Sequence, residues 1–158
     1  MQETPKYFQH LETAQQQCDS AWHLLKVTYP SMKEHKILLG IVGNLSDALQ
    51  SAVEALLDYE LQLNLIPKYN LDWESKFNAF KLKSAIRNRI PENYILLIKK
   101  LKDLLLLHQK SPVEFRRGTR MVICDGDYAY ETLSPEKVEN YLKETKEFIT
   151  LIRNLVHH

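Results

Sequence analysis

The chain has 158 residues, 44% of them hydrophobic, with four glycines, six prolines and two cysteines. That is enough apolar material for one globular domain over 1–158, and too little glycine, proline or repetition for a linker or a disordered array. The net charge of +1 conceals segments of −4 (residues 1–67), +8 (68–120) and −3 (121–158), so the basic middle suits an anionic ligand such as RNA or an acidic helix of its own or a neighbouring chain.

Cys18 and Cys124 stand far apart with no CxxC or Cys/His spacing, as reduced thiols of the cytoplasm do rather than a disulfide or metal centre. Every apolar stretch is broken by charge before membrane-spanning length, and the N-terminus lacks a basic-then-apolar signal. A cytoplasmic protein with no metal, no cofactor and no membrane partner is expected.

Thr4-Pro5 predicts a helix start, and Tyr7, Leu11, Ala14, Cys18, Ala21 and Leu25 continue at helical spacing to about Val27, with Thr28-Tyr29-Pro30 as the turn. Asp19 and His23 lie four apart, close enough for a carboxylate to hold an imidazole, but no second Glu/His pair completes a metal site. The dominant feature follows. From Ser31 to Ile66, apolar residues at Leu38, Val42, Leu45, Leu49, Ala52, Leu56, Tyr59, Leu63 and Ile66 keep one stripe on one side of a single long helix. Ser31 with Glu34 predicts its capping box and Pro67 its stop. A rod of that length needs several helices along it or a second copy of the chain. Gly40 and Gly43 each cost about 1 kcal/mol against alanine inside a helix, which close approach of another helix would offset.

Asp72 predicts the cap of a shorter helix carrying Trp73, Phe77, Phe80 and Ile86 inward, with Lys76, Lys81, Lys83, Arg87 and Arg89 on its basic side. From Glu92 to His108 the spacing of Tyr94, Ile98, Leu101, Leu105 and His108 gives another helix, and Leu104 to Leu107 predict burial on every side of it. Asp125-Gly126 is a two-residue hairpin signal over about 120–132, with Ile123 facing Tyr128, Met121 facing Tyr130 and Arg120 meeting Glu131. Arg116 and Arg117 are left to meet a phosphate or an acidic partner. Ser134-Pro135-Glu136 opens the last amphipathic helix, through Val138, Tyr141, Thr145, Phe148, Ile152 and Leu155. The expected fold is all-α: an up-and-down bundle of about five helices with a small β-hairpin before the last.

This layout resembles the HEPN superfamily of small helical-bundle proteins, and the run His108 to Phe148, with Ser-Pro-Val-Glu-Phe-Arg, Val-Ile-Cys-Asp and the hairpin, looks like an archaeal branch of it. Many members are homodimers, and the catalytic ones are metal-independent ribonucleases with an Arg, often followed by Asn or Asp, and a His four to six residues beyond. Arg153, Asn154 and His158 fit that spacing here. The resemblance implies that arginine would hold the scissile phosphate while histidine moves a proton. His157 and His158 also fit a frayed helix end or the remnant of a purification tag. No glycine-rich phosphate loop, nucleophile elbow or zinc signature is present. The expected function is a non-catalytic, self-associating (homodimeric) binding module that offers Lys99, Lys102, Arg116 and Arg117 to RNA or a nucleotide. The alternatives are the ribonuclease and a purely structural protein–protein module.

Overall fold

Among the described residues the chain forms five helical rods and a three-stranded antiparallel sheet. The computed structural model describes residues 3–110, 113–124 and 130–156; the side chains of residues 110, 113–116 and 130 lie outside that description. Among the described residues no helix is long and apolar enough to cross a membrane.

The first rod is α1 (Lys6–His23), a π turn (Leu24–Thr28) and α2 (Tyr29–Met32) in unbroken succession. It runs five residues beyond the expected end at Val27. The wide turn, in which the Tyr29 N–H donates to the Leu24 carbonyl, falls just before Pro30, whose ring would meet the Lys26 carbonyl in a regular α-helix. Ser31 therefore does not cap the next helix. Its hydroxyl donates back to the Val27 carbonyl at 3.2 Å, and the chain turns at Lys33, whose left-handed φ of 53° ends the rod.

The central rod is α3 (His35–Gln62), 28 residues and about 42 Å long, continuous through both glycines. It is shorter than 31–66 at each end. At its C-terminus Asn64 takes a left-handed φ of 57°, with Leu65 N–H to the Glu60 carbonyl at 2.8 Å and Asn64 N–H to the Leu61 carbonyl at 3.1 Å. That Schellman closure stops the helix before Pro67 can.

Burial of α3 extends well beyond a stripe. Leu38, Ile41, Val42, Leu45, Ala48, Leu49, Ala52, Val53, Ala55, Leu56 and Leu57 are all buried, beneath α1 on one side and α7 (Pro135–Val156) and α6 (Glu92–Lys110) on others. Of the two ways to cover so long a rod, several helices along it or a second copy, helices of the same chain supply this cover. Gly40 and Gly43 have nothing within 4 Å of where a Cβ would stand, so no helix of this chain approaches across them.

The third rod begins as read from sequence: Asp72 accepts from the Ser75 N–H at 3.0 Å and starts α4 (Trp73–Ala79). A second π turn (Phe80–Ser84) joins it to α5 (Ala85–Arg87) and delays the helical phase by one residue. Phe80, Ser84 and Ala85 are therefore buried, whereas Ile86, expected inward, is 70% exposed. Arg89 closes the rod in a left-handed conformation, with Ile90 N–H to the Ala85 carbonyl at 2.9 Å.

In α6 the four leucines are not buried all round. Leu104 is in the core, Leu105 and Leu107 pack partly against it, and Leu106 is 49% exposed, because only one side of α6 lies on α3.

The sheet differs most from expectation. Strands β1 (Val113–Arg117), β2 (Arg120–Cys124) and β3 (Tyr130–Leu133) pair in that order, so a hairpin over Gly118-Thr119 precedes the expected one. Gly118 has φ +65°, as the primed two-residue turn with glycine first requires. Between β2 and β3, Ile123 pairs with Glu131 and Met121 with Leu133, three positions from the register an Asp125-Gly126 turn would impose. Arg120 accordingly faces Arg117 across β1 and β2, not Glu131. Asp125, Gly126, Tyr128 and the Tyr130 side chain lie outside the described residues. Met121, Ile123 and Leu133 enter the main core. Ser134 accepts from the Lys137 N–H at 3.2 Å, and α7 starts at Pro135, as its signature required.

Candidate anion-binding surface and the polar face of the central helix

The basic middle segment folds partly onto the acidic polar side of α3. Lys76 Nζ lies 3.7 Å from Glu54 Oε1, and Arg87 donates to Glu60 Oε2 through Nη2 and, at 2.9 Å, through Nε. Glu60 is fully buried, and Asn88 adds a third donor to the same oxygen at 3.1 Å. Lys102 Nζ donates to Gln50 Oε1 at 2.8 Å and sits 5.0 Å over the Trp73 ring. Lys100 approaches Glu131 at 3.8 Å.

Next to these pairs stands a constellation that the sequence reading missed. His10, from α1, lies between two carboxylates one turn apart on α3: Nδ1 is 3.5 Å from Glu54 and Nε2 is 3.0 Å from Asp58. The hydrogen bond with Asp58, helped by both negative charges and opposed by burial and Lys76, raises the imidazole pKa above its ordinary value. Tyr69 donates to Asp58 at 3.5 Å, and burial together with that carboxylate pushes the phenol up to about 12. The four-residue spacing of Glu54 and Asp58 was legible; their partner 44 positions away was not. No group of three or more His, Cys, Asp or Glu side chains among the described residues is arranged to hold a metal ion. Asp19 accepts from Gln15 at 2.9 Å and makes no ion pair with His23. Cys18 is buried, which pushes its thiol up to about 11, away from reactive thiolate.

Among the four residues expected to bind RNA, Lys102 is engaged as above. Lys99 is exposed on α6 beside Lys100 and Asp103, in an open groove of about 460 Å³ that reaches Glu131. Arg117 is exposed at the end of β1, directly opposite the exposed Arg120, and neither enters an ion pair among the described residues. The Arg116 side chain is outside the description, though its strand position pairs with Met121. Arg153 and Asn154 are exposed on the last turn of α7, where Arg153 Nη2 reaches Gln15 Oε1 at 3.5 Å. His158, like His157, lies outside the described residues.

No protein-family model, curated protein or solved structure matches this chain. Two arginines at the Gly118-Thr119 turn repel each other across a cross-strand pair, a juxtaposition that a bound anion relieves. Arg120, assigned a structural partner from sequence, joins Arg117 at the tip because β2 pairs with β1 through the Gly118-Thr119 hairpin.

Proposed function

We propose that the protein is a non-catalytic binding module that presents Arg117 and Arg120, with Lys99 on the neighbouring helix, to the phosphates of RNA. The observation that supports this is the exposed Arg117–Arg120 pair, two like charges held face to face with no described carboxylate between them. Lys102 is left out of the surface because Gln50 and Trp73 already occupy its ammonium. The HEPN-like bundle layout agrees with such a role but does not carry it.

A structural module is the second reading. What favours it is the internal pairing of Lys76 with Glu54, Arg87 with Glu60 and Lys100 with Glu131, which ties three basic side chains of the middle segment to carboxylates of this chain. Fluorescence anisotropy with a labelled single-stranded RNA, titrated over salt, separates the two. Binding should weaken steeply with salt, and Arg117→Ala combined with Arg120→Ala should flatten the log–log slope by about 1.4, two phosphate contacts' worth for a single strand. No binding at low salt leaves the structural module. Cleavage of the RNA that Arg153→Ala abolishes, without unfolding, would replace binding by the ribonuclease reading.

A further inference from the structure

Between the N-terminal half of α1 and the end of α7 runs an open groove of about 480 Å³, within the size range of small-molecule sites. Its floor is apolar: Leu11 and Val156 are each 3% exposed, and the Tyr7 and Phe8 rings form its wall. Phe8 is 40% exposed. One cation enters this setting. Arg153 lines the groove, and its single polar partner among the described residues is the neutral Gln15, at the outer limit of a hydrogen bond. Gln15 is itself fixed, since its Nε2 donates to Asp19 at 2.9 Å, which turns its oxygen toward the guanidinium. Glu12 also lines the groove yet forms no ion pair with Arg153, so the guanidinium keeps donors for something else.

We propose that this groove binds a small aromatic monocarboxylate, its carboxylate on Arg153 and its ring against Phe8 and Tyr7 over Leu11 and Val156. The fork of the guanidinium matches a carboxylate in two parallel hydrogen bonds, and aromatic walls favour an aromatic guest by edge or offset contact. Glu12, exposed and also lining the groove, sets the charge of that guest. A dianion brought to Arg153 meets its negative charge, so one carboxylate is accepted and two are disfavoured. The site is separate from the Arg117–Arg120 tip and does not depend on the RNA reading.

Titration of the full chain with 3-phenylpropanoate, followed by amide chemical shifts and calorimetry, tests the assignment, with neutral 3-phenylpropan-1-ol as the matched probe. Saturable shifts should map to residues lining the groove. Arg153→Gln should weaken the carboxylate about tenfold or more while leaving the alcohol unchanged. Phe8→Ala, at an exposed position that folding tolerates, should weaken both probes alike. An absence of saturable 3-phenylpropanoate binding, or equal affinity in Arg153→Gln, overturns the proposal.

Discussion

His10 is where single-residue chemistry has the widest consequence. Its two ring nitrogens each face a carboxylate of α3, which only the protonated imidazole can serve with two donors. Its pKa is raised in the folded protein, so its stabilising contribution is complete below the unfolded value near 6.5 and is lost as pH rises through the folded value. Lys76, the remaining charged neighbour, works against this by repelling the imidazolium. Stability measured by urea unfolding should therefore fall from about pH 6.5 upward, and His10→Gln should remove that part of the slope while leaving acid unfolding in place. An unchanged pH profile in the variant would show that the imidazole is not what links α1 to Glu54 and Asp58. Glu60 makes a different kind of contribution. Fully buried, it accepts from Arg87 and Asn88 and so ties the end of α3 to the rod of residues 73–87.

At the level of elements, α3 carries two glycines that no neighbour exploits. A methyl group at Gly40 or Gly43 would stand in open space, and alanine exceeds glycine in a helix interior by about 1 kcal/mol. Gly40→Ala and Gly43→Ala should each raise unfolding free energy by roughly that amount in chemical denaturation. The opposite sign, with loss of an oligomer in light scattering, would reveal a partner helix lying against this face. The two π turns act on a larger scale. One widens the first rod ahead of Pro30; the other rotates residues after Phe80 so that Ala85 rather than Ile86 enters the core. Hairpin geometry follows the same logic, since Gly118 accepts the left-handed φ that places Arg117 against Arg120.

Across the whole molecule, one apolar cluster links α1, α3, α6, the sheet and α7. Phe80 and Phe148 meet edge to face at 6.0 Å within it, both fully buried, and Tyr94 tilts onto Phe148 at 5.4 Å. Phe80→Ala or Phe148→Ala should each cost about 3–5 kcal/mol, a large part of a typical domain's 5–15. Because the rings touch, the double variant should lose less than the two single losses added, and strict additivity in urea unfolding would contradict the shared contact. The existence of the rods was legible in the sequence, because helical periodicity and caps such as Asp72 and Ser134-Pro135 are local properties of a few adjacent residues. The candidate surface was legible only in part: Arg117 stood out, while its pairing with Arg120 depended on the additional strand β1, and His10 on neighbours brought from 44 and 48 positions away. Sequence alone determined that a long amphipathic helix organises a helical bundle with a small β-hairpin before its last helix. Only tertiary structure decided that this helix is covered by its own chain and turns its acidic side to the basic middle, since burial and charge pairing are set by contacts distant along the chain.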